Sequence, residues 1–361
     1  MNTRPIDLMT PARFGRLDLR NRVVMAPMTR SRATADGQVT DIMVEYYRQR
    51  AGAGLIITEG VYPSEQGKGY CRTPGLARAA HVAGWRQVTD AVHAEGGTIV
   101  AQIMHVGRVA VAANKPEGAE TVAPSAIAAR TQLYTDFDGG SMVSCAQPRP
   151  LRADEIPGVV ADYARSVERA FEAGFDGVEL HGTSGYLPAQ FLSTGTNTRT
   201  DEWGGTLAGR LRFFVEVARA MALVDGAGRV GFRICPGNPY NDLDDRAPEE
   251  TFRALLAALN PLGLAYCHAI RMPSTGIETE QLCRNEFDGP LIVNDSYLPP
   301  EAEQALTSGR ADAVSFGRLY ITNPDLAQRI ASGAALASTD AAHIYDPGAE
   351  GYIDFPAASS N

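Results

Sequence analysis

His181, Ser184 and Tyr186 fall within six residues of one another and bring an imidazole, a hydroxyl and a phenol to one loop. An imidazole N–H can hold an oxygen whose charge grows in a transition state, and a phenol can protonate a developing carbanion. Alone the pair is weak evidence, because a single His or Tyr more often serves structure. Two rival chemistries use the same residues. Ser184 could be a nucleophile, but Gly182-Thr183-Ser184-Gly185 is not the G-x-S-x-G elbow, and no ordered acid and histidine accompany it. His105, His181 and His268 could ligate a catalytic metal, yet the first unit of the chain offers Pro27, Met28, Thr29 and Arg30 and no His-x-His, which disfavours a metal hydrolase. The five cysteines are widely spaced without a C-x-x-C pair, so they read as reduced and mostly structural, not as a zinc, iron–sulfur or redox site.

The elements that must position these residues repeat along the chain. Short apolar or β-branched runs occur at 23–26, 55–57, 98–102, 177–180, 230–234, 265–268, 291–293 and 313–316. Helical periodicity separates them at 39–51, 81–95, 156–173, 209–223, 249–260 and 301–307. Eight βα units imply an α/β fold of the (β/α)8 TIM barrel type. Gly52, Gly54, Gly96, Gly97, Gly174, Gly263 and Gly309 stand at helix-to-strand junctions, as left-handed caps. The Ala-Gly-Ala-Gly-Leu phrase at 51–55 and the Gly-Ala-Gly-Arg-Val phrase at 226–230 precede strands instead of following them, so neither is a dinucleotide fingerprint.

Side chains at strand C-termini converge on one barrel face. That face would gather Pro27, Met28, Thr29 and Arg30; Glu59 and Gly60; Gln102, Met104 and His105; the loop His181 to Tyr186; Arg233; His268; and Gly317-Arg318. Gly317-Arg318 with Asn294-Asp295-Ser296 falls where such barrels bind phosphate, through backbone N–H groups and a helix N-terminus.

Bulk properties bound the rest. Hydrophobic residues make up 44% and charged residues 21% of 361, which is globular. A net charge of −9 leaves no basic stripe, so neither nucleic acid nor an anionic membrane is the expected partner. Residues 1–10 hold Arg4, Pro5 and Asp7 and no continuous apolar core, and no run approaches a membrane span, so a cytoplasmic location is expected. Residues 121–150, rich in Ala, Thr, Asp and Gly, read as an inserted lobe over the barrel mouth after strand three, and 339–361 as a C-terminal tail. The whole of 1–361 is expected to be a single domain, a monomer or homodimer acting on small molecules.

Across nearly the whole chain the motifs resemble the Old Yellow Enzyme family. The resemblance is carried by the segment 21–30 with Pro27-Met28-Thr29-Arg30, by Glu45-Tyr46-Tyr47-Arg48, and by Gly67-Lys68-Gly69-Tyr70. Gln102-Ile103-Met104-His105, Gln190-Phe191-Leu192-Ser193 and Asn197-Thr198-Arg199 continue it. So do Phe316-Gly317-Arg318 and the tail Gly348-Ala349-Glu350-Gly351-Tyr352. The resemblance implies an FMN-dependent ene-reductase that takes hydride from NADPH or NADH and passes it to an electron-poor C=C bond in a ping-pong cycle. It further implies noncovalent FMN at the mouth, with Pro27, Met28 and Thr29 along the flavin and Thr29 near its O4. Gly60, Gln102 and Arg233 would hold the pyrimidine edge and ribityl chain, and Gly317, Arg318 and the 294–296 loop the phosphate. Tyr70, Met104 and Tyr352 would meet substrate, His181 would bind the activating oxygen, and Tyr186 would protonate the α-carbon.

Three positions depart from the family pattern. Ser184 replaces the second oxygen-binding His or Asn, Met104 replaces a common aromatic and widens the pocket, and Asn294-Asp295-Ser296 replaces a glycine-containing loop. Ser184 keeps open an isomerase or dehydrogenase with a dedicated biosynthetic substrate. A flavoprotein that only passes electrons to oxygen or quinones is a further alternative.

Overall fold

The computed structural model describes residues 6–136, 139–338 and 342–358. Parts of three segments discussed above, at 1–5, at 137–138 in the inserted segment and at 339–341 and 359–361 in the tail, lie outside the described residues.

The chain opens with a hairpin, β1 (Ala12–Phe14) and β2 (Leu17–Leu19), before the first barrel strand, β3 (Val23–Met25). There follow α1 (Asp41–Gln49), β4 (Leu55–Val61), α2 (Ala80–Ala94) and β5 (Ile99–Ile103). An excursion then contains β6 (Val122–Ala123), β7 (Gln132–Thr135), β8 (Ser141–Ser144) and β9 (Arg149–Pro150). The alternation resumes with α3 (Ile156–Glu172), β10 (Gly177–His181), α4 (Leu187–Leu192), α5 (Leu207–Asp225), β11 (Val230–Ile234), α6 (Pro248–Leu259) and β12 (Tyr266–Ile270). It ends with α7 (Thr279–Glu286), β13 (Leu291–Asn294), α8 (Pro299–Thr307), β14 (Ala313–Phe316), α9 (Arg318–Thr322) and α10 (Leu326–Ser332).

Strands β3, β4, β5 and β10 to β14 close into a parallel eight-stranded barrel. Helices cover its outer face, so the strands are buried on both sides and read as continuous apolar runs instead of alternating ones. Helix α3 shows the complementary pattern, burying Ile156, Val159, Tyr163, Val167 and Ala170 at helical spacing. The β1–β2 hairpin plugs the N-terminal end of the barrel, where Phe14, Leu17 and Leu19 pack with Val24, Leu55, Val100, Tyr266 and Ile292. With that end shut, the C-terminal end is left to hold a ligand. No helix among the described residues is long and apolar enough to cross a membrane.

Between β5 and α3 the chain forms the antiparallel pair β7–β8 and the short parallel pair β6–β9. Buried Arg108 fastens this excursion by donating to the carbonyls of Ile127 and Ala128 with Nη1 and of Asn241 and Asp242 with Nη2.

Candidate active site

A cavity of about 860 Å³ opens at the C-terminal end of the barrel, and a second of about 540 Å³ adjoins it, the two sharing Pro27, Met28, Arg233 and Arg318. The first is lined by Pro27, Met28, Thr29, Gly60, Gln102, Met104, His181, Ser184, Tyr186, Arg233 and Arg318, all read from the sequence as one face, and by Tyr70, expected there from the family resemblance. The second adds Asn294, Asp295, Ser296 and Gly317.

Local backbone geometry explains how several of these residues reach the cavity. The β4–β5 ladder shifts register between Ile57 and Gly60, a bulge that redirects the strand end toward the mouth. A Cβ at Gly60 would lie 2.5 Å from Met104 Sδ, so this glycine exists to admit Met104. After β10 the chain turns through Ser184 at φ 58 and Gly185 at φ 78, and Tyr186 then caps α4 in an extended conformation. Gln190 fastens the turn, donating Nε2 to Gly185 O at 2.7 Å and to Val106 O at 2.9 Å, and Asn241 Nδ2 donates to Ser184 O at 2.6 Å.

Burial sets the protonation of the acid–base candidates. His181 is held well below its ordinary value first by burial, then by the charges of Arg233 and His268, so its imidazole is neutral. Tyr186 is pushed up to about 12, chiefly by burial, while a hydrogen bond from Tyr70 works in the opposite direction. The two hydroxyls meet at 2.9 Å, and the His181 and Tyr186 rings lie 5.0 Å apart edge-on. Tyr186 is therefore a phenol, not a phenolate, at any ordinary pH.

A buried polar ladder beneath the cavity was not read from the sequence. Glu179, on β10, accepts from Gln102 Nε2 at 2.7 Å and pairs with His268 Nδ1 at 2.9 Å, and His268 Nε2 reaches Ser315 Oγ at 2.8 Å. One of the two Gln102 amide hydrogens goes to Glu179, which fixes the amide and leaves its carbonyl oxygen free to accept from a ligand and its second N–H free to donate. The signal was present: an ionisable residue inside a run buried on both faces needs a partner.

The structure revises one expectation and adds detail at three other places. Tyr352 does not line the cavity. It is fully buried, stacked on Tyr46 at 4.1 Å with Arg30 and Arg32 over its ring, and so anchors the tail instead of meeting substrate. Asn294, on the wall of the second cavity, commits its side chain to protein partners, accepting from Arg233 Nη2 at 2.6 Å and donating to Ser315 O at 2.9 Å. Asp295 and Ser296 adopt φ 88 and 56, the left-handed backbone that glycine normally supplies, and Asp295 Oδ1 lies 3.7 Å from Arg318 Nη2. His268, a candidate metal ligand, is committed to Glu179 and Ser315. Among the described residues no group of three or more His, Cys, Asp or Glu could hold a metal ion.

Sequence reasoning missed the outer wall of the cavity, where Arg72 arrives from the segment between β4 and α2, Tyr134, Asp136 and Met142 from the β7–β8 hairpin, and Tyr345 from the tail. Their positions depend on long-range tethers that leave no local pattern.

FMN fits the residues present. Arg233 Nε and His181 Nδ1 are buried polar atoms on the cavity wall without a protein partner. A Cβ on Gly317 would meet only Met28 and Ala26, at 3.6–4.0 Å, so protein packing does not demand a glycine there and its bare backbone leaves this edge of the cavity open to a ligand. A barrel whose open end offers Arg233, Arg318, a fixed Gln102 amide and a neutral His–Tyr pair suits a flavin-dependent oxidoreductase.

Residues 7–337 match the NADH:flavin oxidoreductase / NADH oxidase family. A flavin mononucleotide-dependent alkene reductase from Leishmania infantum, so named with the qualifier "probable", is 40% identical, covering 98% of each chain. 12-oxophytodienoate reductase 1 of Oryza sativa subsp. japonica is 38% identical over 97% of this chain and 93% of its own. Among solved structures, morphinone reductase superposes with a TM-score of 0.94 at 42% identity over 99% and 98% of the two chains. The Old Yellow Enzyme homologue of Zymomonas mobilis gives 0.92 at 38% identity over 97% and 99%. The chain belongs to the NADH:flavin oxidoreductase / NADH oxidase family, the Old Yellow Enzyme family. It is an NAD(P)H-dependent flavin oxidoreductase whose cofactor is FMN, of the kind that carries out ene-reduction.

Proposed function

We propose that this protein reduces the C=C bond of α,β-unsaturated carbonyl or nitro compounds, with Tyr186 as the proton donor. The observation that carries the reading is the neutral His181 beside a Tyr186 hydroxyl hydrogen-bonded to Tyr70 at 2.9 Å, both on the wall of the cavity that fits FMN. Gln102, Arg233, Gly317 and Arg318 would hold FMN noncovalently, with Thr29 beside its ring, and the reduced cofactor would supply hydride for the substrate's β-carbon. His181 donates a hydrogen bond to the activating oxygen and stabilises the charge that develops there. Tyr186 gives its proton to the α-carbon, and the proton is recovered from solvent by way of Tyr70. Residues 1–361 act as one domain, with the inserted segment 121–150 over the mouth.

Ser184 favours one second reading, because a hydroxyl at φ 58 is a shorter reach to the substrate oxygen than the family's His or Asn. In that reading the net reaction is an isomerisation or dehydrogenation of a dedicated substrate. Anaerobic NAD(P)H oxidation with and without 2-cyclohexenone or a nitroalkene separates the two. Consumption of one NAD(P)H per alkene reduced supports the reductase, whereas alkene turnover without NAD(P)H consumption defeats it.

A further inference from the structure

A buried carboxylate sits in the barrel layer directly beneath the cavity, where such barrels normally pack branched apolar side chains. Glu179 is fully buried on β10, two residues before His181, so both side chains point to the barrel interior, with Glu179 one layer deeper. Burying a charge is costly, and apolar side chains of similar volume often stabilise such a site better. Folding alone therefore does not account for a carboxylate here.

Its surroundings tie it to the cavity wall. Oε1 accepts from Gln102 Nε2 at 2.7 Å and Oε2 from His268 Nδ1 at 2.9 Å. Burial, ahead of the opposing pull of Glu179, holds His268 below its ordinary value, so the imidazole is neutral. Its one N–H is then the Nδ1–H given to Glu179, and its Nε2 accepts from Ser315 Oγ at 2.8 Å. The ladder thus carries one negative charge. On the cavity wall stands the buried cation Arg233, which donates to the neutral Asn294 amide through Nη2 and leaves Nε unpartnered. Of the charges around Arg233, that of Glu179 acts on it most strongly.

We propose that Glu179 is a positioning residue for the redox step, its buried negative charge offsetting Arg233 and keeping the reduction potential of the bound FMN low. Reduction adds negative charge to the flavin ring system, which a nearby cation favours and a nearby anion opposes. Gln102, fixed to Glu179 by one N–H, carries the influence of the carboxylate to the cavity surface through the rest of its amide. A low potential keeps the reduced cofactor a strong hydride donor, whichever alkene accepts the hydride.

Two variants of the FMN-loaded protein separate charge from packing. Glu179→Gln removes the charge and keeps the bonds. The introduced amide oxygen accepts from Gln102, and the introduced N–H donates to His268 Nδ1 once the imidazole proton has moved to Nε2. That Nε2–H donates to Ser315 Oγ, and the Ser315 hydroxyl turns to Val293 O, 3.4 Å away. Glu179→Asp keeps the charge and shortens the arm. Midpoint potentials are read by equilibration with reference dyes. Glu179→Gln should raise the potential by about 30 mV, a roughly 10-fold shift in the two-electron reduction equilibrium, and Glu179→Asp should stay near the wild type. A purely structural role would lower Tm in both variants and leave the potential alone. An unchanged or lowered potential in folded Glu179→Gln overturns the proposal. Equal rises in both variants also overturn it, because hydrogen-bond geometry and not charge would then set the potential. Should Glu179→Gln fail to fold, the reduced-minus-oxidised infrared spectrum of the wild type decides. A carboxylate stretch that shifts on reduction supports the proposal, and its absence, or a carboxylic-acid band in its place, overturns it.

Discussion

Removing the hydroxyls of Tyr70 and Tyr186 one at a time should give a graded loss, because they are joined by one hydrogen bond of 2.9 Å and only Tyr186 is proposed to give its proton to the substrate. Tyr186→Phe deletes the acid, and a positioned acid contributes roughly 10²–10⁴-fold, or about 3–5 kcal/mol, to its step. Tyr70→Phe keeps the acid but removes the donor that stabilises the phenolate left behind. One such bond is worth about 1–2 kcal/mol, a roughly 5- to 30-fold slowing. The double variant should protonate substrate no more slowly than Tyr186→Phe, since Tyr70 takes part in the proton transfer only through Tyr186. Anaerobic stopped-flow mixing separates the two half-reactions, and reduction by NAD(P)H should be nearly unaffected in all three variants. Tyr186 titrates at about 12 and His181 well below its ordinary value, so the substrate-reduction step should be flat between about pH 7 and 10. Additive effects of the two substitutions, or equal slowing of both half-reactions, would refute the assignment of Tyr186 as acid and Tyr70 as its support.

Three further outcomes are expected. Arg318→Ala should weaken FMN binding roughly 10- to 100-fold by removing a charge-assisted phosphate contact, read as flavin lost on desalting; full retention would contradict the role. Ser184→Asn should raise kcat/KM for 2-cyclohexenone by about 10-fold, because asparagine tolerates the φ of 58 at that position and can reach the substrate oxygen; a decrease would mean that Ser184 already serves it. Glu59 is fully buried against Tyr47 with Arg30 and Arg32 nearby, and burial raises its pKa from 4.5 to about 7. With the folded value above the unfolded one, its contribution to stability is present below pH 4.5 and is lost as the pH rises through 7, about 3 kcal/mol in all. Glu59→Gln should flatten that fall in urea titrations at pH 5 and pH 8, and parallel curves for variant and wild type would refute it.

The barrel was legible in the sequence because each strand is buried on both faces and begins where a helix pattern stops. Strands β11 and β14 occupy the residues expected, Val230–Ile234 and Ala313–Phe316. Strand β4 runs four residues further than its apolar run, to Val61, because Thr58, Glu59 and Gly60 look like a strand end in sequence yet are buried. Their burial is sustained by partners far along the chain, Tyr47 on Glu59 and Met104 over Gly60. Helix α7 went unread for the opposite reason: Thr279–Glu286 is mostly polar and buries only Thr279, Leu282 and Cys283, too short a stripe for a period to show.

At the site, legibility followed the barrel rule and stopped where that rule stops. Thr29, Gln102, His181, Arg233 and Gly317 were placed together because each sits at a strand end, and geometry fixes which face a strand end meets. Tyr352 has no such constraint. A tyrosine in a tail takes its environment from whatever packs on it, and here Tyr46, Arg30 and Arg32 claim it, leaving Tyr345 to face the mouth. Gly60 and Met104 carry the same lesson at closer range. Read singly, one is a flavin contact and the other a wider pocket. In the fold they are one choice, since any side chain at 60 would need the space that Met104 Sδ occupies 2.5 Å from the Cβ position. An aromatic ring at 104 would have to share that space, so the width of the pocket is set by the pair and not by Met104 alone.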